Sequence, residues 1–441
     1  MGKPIRSPKT ISDPVLGSID IRPILPIVST RQFQLLSGRH QLGATYVVFP
    51  SATHSRLAHS IGVYQRTRGL VQRLVDLNLI DSDTGRAVEA YAACHDLGHG
   101  PYSHLSEAFF KPPGPSDMSV NSRLSVLRIL EIRSAIESCG VDPEKVLALA
   151  RHEDPRHQIV SCRNLGADKR DYLERDGLVT IRSAPVGLDF LEKHIYLLDG
   201  KVLAIDEKAA DHALDLQMFY LKMYKNVYLR MTSAIVERML QKTIYYLLSR
   251  KELEPHILEG LTDSELIGRI SFSENPDVQY LYERFRVRNL FKEAFALRPE
   301  EFVYANRRST KHRTTVGVPR EVIERLAGHP KVNGKSMYYL DAVEREIARL
   351  IGIPETSVVI LGVSGSEKFK PQDIPVYNSS SGLYDSLQSM RPEHFESLVE
   401  TARSQQALRV CVAEEFRARA SSPKYAKLIQ DHLLGIVQTA P

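Results

Sequence analysis

The most distinctive group of potentially reactive side chains lies at residues 93–104, in the sequence Ala-Cys-His-Asp-Leu-Gly-His-Gly-Pro-Tyr-Ser-His. His95 and Asp96 are adjacent and follow an apolar stretch with helical spacing. Adjacent helical side chains diverge by about 100°, so both can contact one ion only if the ion lies between the two side chains at the edge of the helix. A mixed imidazole and carboxylate set suits Mn, Fe, Zn or Co and does not distinguish among them. The pair alone is equally compatible with a chance dipeptide or a structural hydrogen bond, because motifs this short also occur without function.

The residues that follow this pair predict a helix end and a tight segment. Gly98 and the dipeptide Gly100-Pro101 cannot continue a regular helix. They place His99 and His104 in a tight segment beside the pair.

Two further segments carry polar side chains at helical spacing. Arg56 precedes His59 by three residues, almost one turn, so both face the same side of a helix. Asp168, Tyr172 and Asp176 form one stripe of a later helix, polar where a core-facing stripe is apolar. A solvated charged helix is the commoner explanation of such a stripe. Taken with the other two segments, it supplies a fourth metal ligand and groups that face a substrate.

The elements that would position these residues are mainly helical from about residue 51 to residue 297. Short apolar stretches broken by prolines precede them and predict short strands and turns. One long helix is predicted from Asp211 to Leu248. After about residue 307, an amphipathic helix at Tyr339–Ile351 and buried strands at 357–363 and 409–412 predict a small α+β module packed on the helical part.

Composition narrows the class of protein. The chain has 441 residues and a net charge of +5, with 43% apolar and 25% charged residues, an ordinary globular balance. No apolar run reaches the roughly 18–20 residues of a membrane span, and the first residues do not read as a secretory signal. The four cysteines are far apart, which excludes a cysteine-based zinc finger and favours a cytoplasmic location.

The order of the motifs, His then His-Asp then Asp, resembles the HD-domain metallophosphohydrolases. Within that superfamily the chain is most similar to the deoxynucleoside triphosphate (dNTP) triphosphohydrolases, which include bacterial dGTPases and the animal enzyme with sterile-alpha-motif and HD domains. The resemblance implies a mainly α fold, an HD-domain helical bundle over residues 1–305 with a C-terminal α+β module over 306–441 that takes part in assembly. The stretches that carry it are 11–19, 33–43, 49–63, 223–228 and 288–292 and, more weakly, 368–370 and 373–377.

The resemblance implies metal-dependent attack of water on the α-phosphorus, which releases deoxynucleoside and intact triphosphate. One transition-metal ion (Mn, Fe, Zn or Co) would be bound by His59, His95, Asp96 and Asp168. One of two histidines, His99 or His104, would be the general acid, with Glu107 beside them. Mg²⁺ would enter with the triphosphate.

The resemblance also implies a set of substrate contacts. A guanidinium fork and an ammonium point charge suit phosphates, a hydrogen-bonding pair suits the sugar 3′-hydroxyl, and a tight apolar contact excludes a 2′-hydroxyl. The residues in these roles would be Arg56 and Lys169 for the phosphates, Gln41 and Asp176 for the 3′-hydroxyl, and Leu42 and Tyr172 for the deoxyribose.

Two positions depart from the family pattern. Glu107 stands where the family usually has an aspartate. Asn121 and Ser122 stand where it commonly has a His-Glu pair, and asparagine cannot shuttle a proton near neutral pH. This departure leaves open a slower enzyme, a changed substrate, or a nucleotide-sensing protein on the same fold that hydrolyses little.

A third alternative is a nuclease or nucleic-acid-binding protein, suggested by the basic run at 307–313. A solvated linker is the preferred interpretation of this run, because no aromatic residues are interleaved with it. The remaining expected partners are a dNTP and further copies of the chain, as a dimer, tetramer or hexamer, with no membrane.

The animal enzyme binds an activating guanine nucleotide with an aspartate and an arginine that flank a Phe-Gln pair. The matching positions here are Ser29 and Ser37, and Gln34 alone is retained. The resemblance therefore implies that this chain is not activated by guanine nucleotides through that site.

Overall fold

The computed structural model describes residues 7–110, 124–303, 311–334, 336–363, 371–378 and 380–438. Asn121, Ser122 and most of the basic run at 307–313 lie outside these residues. The described helices of eight or more residues are α1 Arg56–Asp76, α2 Ser82–Cys94, α3 Leu130–Ser138, α4 Pro143–Ala150, α5 Ala167–Thr180, α6 Ala210–Met223, α7 Met231–Ser249, α8 Asp263–Ser271, α9 Pro276–Arg286, α10 Arg320–Gly328, α11 Met337–Ile351, α12 Pro392–Arg403 and α13 Pro423–Gln438.

Shorter helical segments link these elements. They are Leu25–Val28, Arg31–Leu35, His104–Glu107, Gln158–Ser161, Leu188–Lys193, Pro255–Glu259, Leu387–Met390 and Glu414–Ala420. The fold is mainly α, as the sequence predicted.

The strands form three small sheets among the described residues. They are β1 Thr10–Asp13, β2 Gly17–Asp20, β3 Ile195–Leu198, β4 Val202–Asp206, β5 Lys292–Pro299, β6 Thr314–Val318, β7 Val358–Leu361, β8 Pro375–Asn378, β9 Leu383–Ser386 and β10 Leu408–Val412. The first sheet is the hairpin β1-β2. The second has the order β3-β4-β8-β9 and the third the order β6-β5-β10-β7.

Helices α1, α2 and α5 form the centre of the helical part. Ser55 caps α1 by accepting a hydrogen bond from the amide of Ala58, and Asp81 caps α2 in the same way. Glycines allow the close approach of all three helices: a Cβ on Gly85 would lie 2.7 Å from a methyl of Val71, and one on Gly62 would lie 2.1 Å from a carboxylate oxygen of Asp171. Helix α1 therefore packs closely against both α2 and α5.

The predicted single helix from Asp211 to Leu248 is wrong. Helix α6 ends at Met223, a π-helical turn follows at Tyr224–Tyr228, and α7 begins at Met231. Arg230 has an extended backbone (φ −60°, ψ 123°), which separates the two helices. The wide turn directs the Tyr228 hydroxyl to the carboxylate of Asp176, 2.8 Å away. Apolar spacing continues through the break, so periodicity could not reveal it.

The C-terminal part agrees with the predicted elements and adds one connection. Helix α11 and strands β7 and β10 occur where the sequence placed them. Strand β8 pairs in parallel with β4, in register Ile205 with Val376, and β5 pairs in parallel with β6. Both pairings join residues on opposite sides of position 305/306, so two sheets take strands from each predicted domain. The β3-β4 hairpin itself was not predicted.

Candidate metal centre and active site

Three helix ends bring four predicted metal ligands together. His59 lies in the first turn of α1, His95 directly follows α2, and Asp168 lies in the first turn of α5. His59 Nε2 lies 3.3 Å from His95 Nε2 and 3.1 Å from Asp168 Oδ1. Asp96 places Oδ2 3.8 Å from His59 Nε2 and Oδ1 3.5 Å from His95 Nε2. Four potential ligand atoms therefore converge on one small volume.

The second nitrogen of each imidazole fixes the ring orientation. His95 Nδ1 donates to the carbonyl oxygen of Ala92 at 2.7 Å, and a carbonyl can only accept. His59 Nδ1 lies 2.8 Å from Asp171 Oδ2, a carboxylate that Arg175 also contacts. When Nδ1 carries the proton, Nε2 is left with the lone pair that a metal requires. Both Nε2 atoms face the centre, as metal ligands must.

The electrostatics of the centre favour a positive ion. Burial disfavours charge on His59, but hydrogen bonds with Asp168 and Asp171 outweigh it and raise its pKa to about 10. Burial acts to raise the pKa of Asp96, whereas Arg56 and the imidazoles of His95 and His99 hold that pKa well below its usual range. Carboxylates that remain charged beside buried imidazoles attract a cation, and a metal ion bound here would displace the proton that His59 Nε2 otherwise shares with Asp168. The donors fit a divalent metal with mixed nitrogen and oxygen ligands.

Replacing Asp171 by asparagine is expected to weaken metal binding by about 10–100-fold, because the His59 ring loses the charged partner that orients it and raises its basicity. Metal affinity, measured by competition with a chelator, reports the effect. The matched control is Glu174→Gln on the same helix, since Glu174 contacts Arg66 rather than a metal ligand. Equal affinity in Asp171→Asn and the control would show that this carboxylate does not support the ligand.

A second cluster joins His99, His104 and Glu107. Glu107 Oε1 lies 3.0 Å from His99 Nδ1 and 2.7 Å from His104 Nδ1. His99 Nε2 lies 3.3 Å from Asp96 Oδ1, which links this cluster to the metal centre. Burial acts to raise the pKa of Glu107, but the two histidines hold it well below its usual range. Glu107 is therefore a carboxylate that can stabilise a protonated imidazole on either side.

An unusual backbone segment supports both clusters. Tyr102 and Ser103 have φ values of 54° and 59°, rarely adopted by residues other than glycine. The Ser103 hydroxyl donates to the His40 carbonyl at 2.6 Å and accepts from Arg56 Nε at 2.7 Å. Asp263, the first residue of α8, accepts from the amides of Tyr102 and His40 at 2.6 Å and 2.9 Å. These bonds hold strained backbone at the site, where such strain is commonly functional.

Arg56 and Lys169 are both buried beside the metal centre. Arg56 Nη1 donates to Asp96 Oδ2 at 2.6 Å. Lys169 Nζ donates to the carbonyl of Arg163 at 2.7 Å and lies 3.5 Å from the centre of the Tyr220 ring. Burial lowers the pKa of Lys169 to about 7. Arg56 therefore contacts a proposed metal ligand directly, whereas the Lys169 amine contacts Arg163 and Tyr220 instead.

The polar stripe of α5, formed by Asp168, Tyr172 and Asp176, ends near His54 and Gln41. Asp176 contacts His54 Nε2 at 2.8 Å and accepts from the Tyr228 hydroxyl at 2.8 Å. The backbone N–H of Gln41 donates to the backbone carbonyl of His54 at 3.0 Å. The Tyr172 ring meets that of Tyr228 edge-on, with 6.2 Å between centroids. The structure therefore links Gln41 with Asp176 through His54, and Leu42 follows as a half-buried residue beside the main core.

Sequence reasoning missed several residues that complete these arrangements. Asp171 stands three positions after Asp168, a helical neighbour on the same side, which was the available signal. Asp263 is 223 residues from His40, and Tyr228 is 52 residues from Asp176. No local spacing reports such contacts.

Comparisons with known proteins found one matching family model, related chains and similar folds. A family model described as "HD associated region" matches residues 191–332. A deoxynucleoside triphosphate triphosphohydrolase SAMHD1 homolog from Dictyostelium discoideum is 23% identical over 97% of this chain and 82% of its own length. Deoxynucleoside triphosphate triphosphohydrolase SAMHD1 from Gallus gallus is 35% identical over 33% of this chain, which spans only 25% of that protein. Among solved structures, a phosphohydrolase from Bacteroides thetaiotaomicron superposes with a TM-score of 0.68 at 21% identity, covering 92% of this chain and 100% of that one.

The helical fold and the His, His-Asp and Asp centre define an HD-domain phosphohydrolase. The chain is thus similar to the HD-domain family that includes the deoxynucleoside triphosphate triphosphohydrolases. Within the described residues, the helices are too short or too polar to cross a bilayer.

Proposed function

We propose that the chain hydrolyses deoxynucleoside triphosphates to deoxynucleoside and triphosphate and so controls dNTP pools. The observation that carries this proposal is the convergence of His59, His95, Asp96 and Asp168, with both imidazole Nε2 atoms facing the centre. These four residues would bind Mn, Fe, Zn or Co. When bound, such an ion polarises a phosphoryl oxygen and lowers the pKa of a water molecule. Mg²⁺ would accompany the triphosphate and neutralise part of its charge.

The buried cations give the site its preference for a polyphosphate. Arg56 keeps further donors beyond the one used by Asp96, and a guanidinium can bind two phosphate oxygens at once. Lys169 contributes a point charge, and a nearby phosphate favours its protonated form although burial lowers its pKa to about 7. Arg56 and Lys169 together would hold the substrate phosphates beside the metal ligands.

The cluster of His99, His104 and Glu107 would supply the proton for the departing nucleoside oxygen. An imidazole whose Nδ1 faces Glu107 can lose its proton from Nε2 while the carboxylate stabilises the charged form before transfer. The side chain of His104 is 74% exposed and that of His99 is buried, so the two differ in access to the leaving group. Both remain candidates for the general acid, but His99 Nε2 faces Asp96 Oδ1 at 3.3 Å and would have to leave this contact to donate.

The sugar would lie along the stripe of Tyr172 and Asp176. The Tyr228 hydroxyl donates to Asp176, because burial raises the pKa of this tyrosine well above its usual value and keeps it protonated. Asp176 keeps acceptor capacity for a 3′-hydroxyl, and the buried Oε1 of Gln41 has no hydrogen-bond partner among the described residues. Leu42 and Tyr172 would then pack on the deoxyribose and exclude a 2′-hydroxyl.

The test is to incubate the protein with each dNTP and each ribonucleotide, with Mn²⁺ or Mg²⁺, and to identify the products by mass. Deoxynucleoside plus triphosphate from dNTPs supports the proposal. Release of monophosphate and pyrophosphate would contradict it, as would binding of all four dNTPs without turnover, the result expected of a nucleotide sensor. Lys427→Ala, a substitution at an exposed position on α13, is the control for differences that arise from purification and assay conditions.

Glu107→Gln is expected to lower kcat by about 100-fold, because a neutral amide cannot stabilise the imidazolium that donates the proton. Substrate KM and metal content are expected to stay near those of the unchanged protein, since Glu107 is not among the four proposed ligands. Steady-state kinetics with metal analysis provide the measurement. Parallel His99→Gln and His104→Gln variants identify the donor, and an unchanged kcat in all three would exclude this cluster from proton transfer.

GTP is expected to give no stimulation of dNTP hydrolysis through the segment around Gln34. Ser29 and Ser37 carry no charge, Gln34 Nε2 donates to the Val28 carbonyl at 2.8 Å, and the Ser37 hydroxyl donates to the Gln34 carbonyl. The side-chain donors of Gln34 and Ser37 are therefore already used in hydrogen bonds within this segment. Rates with dATP are compared with and without GTP, and a stimulation that is lost in Gln34→Ala would contradict the expectation.

The division at 305/306 and the assembly of the chain into a dimer, tetramer or hexamer remain proposals. Light scattering with and without a dNTP tests the assembly.

A further inference from the structure

The sheet β6-β5-β10-β7 carries an unusual group of charges on one face. Its other face covers an apolar core with α10, α11 and α13. On the charged face, Arg298 and Glu293 of β5 lie with Arg409 of β10 and Arg313, the residue before β6. These four residues are called the arginine cluster below. None of them belongs to the site formed by α1, α2 and α5.

Glu293 is shared by two of the three arginines. Arg409 Nε lies 3.0 Å from Glu293 Oε2, and Arg313 Nε pairs with the other carboxylate oxygen. The side chains of Arg313 and Arg409 are each 13% exposed, and that of Glu293 is 4% exposed. One buried carboxylate is thus already engaged by two guanidinium groups.

Arg298 is left without a carboxylate partner in the described structure. The residue is only 2% exposed, and its Nη1 donates to the Ser404 carbonyl at 3.3 Å. Its Nε is buried and makes no hydrogen bond among the described residues, which is also true of the Nε atoms of Arg313 and Arg409, although these two lie near Glu293. An unsatisfied donor on a buried cation is costly, so such groups usually meet a counter-ion or ligand.

The charge balance of the cluster is positive. Three guanidinium groups and one carboxylate give 3 − 1 = +2 in a largely buried volume. Burial, together with Arg409 and Arg313, lowers the pKa of Arg298 to about 10, and Glu293 opposes this shift. Buried charge of one sign is stable only when opposite charge compensates it.

We propose that the arginine cluster binds a phosphate-type oxyanion, either inorganic phosphate or the phosphoryl group of a nucleotide. Guanidinium forks on neighbouring strands present several donors to a tetrahedral anion, and a dianion would balance the excess charge. Arg313 is the last residue of the basic run at 307–313 and directly precedes β6. This arginine therefore belongs to the charged cluster on the sheet rather than to a solvated linker.

The test compares the full-length protein with Arg298→Met and Glu293→Gln during titration with inorganic phosphate in low-salt buffer. Calorimetry counts bound phosphate, and the melting temperature reports linked stabilisation. Phosphate is expected to raise the melting temperature of the unchanged protein. Arg298→Met is expected to bind one phosphate fewer and to show a smaller increase in melting temperature when phosphate is added. Its melting temperature in phosphate-free buffer is not expected to fall, because the substitution removes an uncompensated charge. Glu293→Gln is expected to bind phosphate more tightly, because it removes the competing carboxylate.

Arg238→Met is the matched control, since Arg238 is a buried arginine whose Nη2 lies 2.9 Å from Glu344. It is expected to melt lower in both buffers and to keep the phosphate response. Repeating the titration with dATP separates the two sources: a response that depends on Arg298 with dATP but not with inorganic phosphate assigns the anion to a nucleotide. An unchanged response to both in Arg298→Met would overturn the proposal, as would weaker binding by Glu293→Gln or an effect of Arg298→Met on self-association alone.

Discussion

Asp96→Asn is expected to lower kcat/KM for dNTP hydrolysis by about 10³-fold or more, the largest effect of any single change at the site. The carboxylate is a proposed ligand, it pairs with Arg56 at 2.6 Å, and it lies 3.3 Å from His99 Nε2. One substitution would therefore weaken the proposed metal centre, release Arg56, which we propose to bind phosphate, and disconnect the cluster proposed to transfer the proton. Loss of several kcal/mol of transition-state stabilisation corresponds to this factor.

Kinetics and metal analysis on the same samples measure this effect. Bound metal is expected to fall together with activity, since an amide oxygen is a weaker ligand than a carboxylate. Asp83→Asn is the matched control because Asp83 is an exposed residue in the first turn of α2 that pairs with Arg86. Near-normal turnover in Asp96→Asn, with metal retained, would remove this residue from the proposed mechanism.

Glu344→Leu is expected to lower the free energy of unfolding by about 3–5 kcal/mol, because it leaves the buried Arg238 without its carboxylate partner and the buried Lys242 with only Asp341. Glu344 lies on α11 and is fully buried. Its carboxylate accepts from Lys242 Nζ at 2.9 Å and lies 2.9 Å from Arg238 Nη2, both on α7. It also accepts from the amide of Ile360 in β7 at 2.8 Å. The network joins the helical part to the C-terminal part.

Urea unfolding measures the loss, and Lys427→Ala is the control. Lys427 forms an exposed pair with Asp431 on α13, so its removal is expected to cost about 0–1 kcal/mol. A loss for Glu344→Leu as small as that of the control would mean that the buried pairs contribute no net stability.

The sequence predicted the parts of this molecule that depend on short-range spacing. Side chains one helical turn apart were correctly placed on common helices because such spacing fixes their direction, as for Arg56 with His59 and for Asp168 with Tyr172. The amphipathic pattern of α11 and the apolar runs of β7 and β10 were predicted for the same reason.

The remainder depends on contacts between distant segments. Asp263 reaches His40 and Tyr102 only because α8 packs beside the strained backbone, and nothing local to residue 263 indicates this. The π-helical turn before Arg230 interrupts a regular apolar pattern without changing it. Arg313 stands in a run typical of solvated linkers, and its burial follows only from the pairing of β5 with β6.

The pairing of β4 with β8 bears on how this chain can be divided. The strand pairs β4-β8 and β5-β6 cross position 305/306, and Ile374 and Val376 belong to the same apolar core as α1 and α2. A fragment that stopped at residue 305 would leave the hydrogen-bonding edge of β4 and both edges of β5 open to water or to other strands, a known route to aggregation. The helices that carry the candidate metal ligands thus share a core with residues far downstream, and a fragment that ends at residue 305 is expected to be less stable than the longer chain.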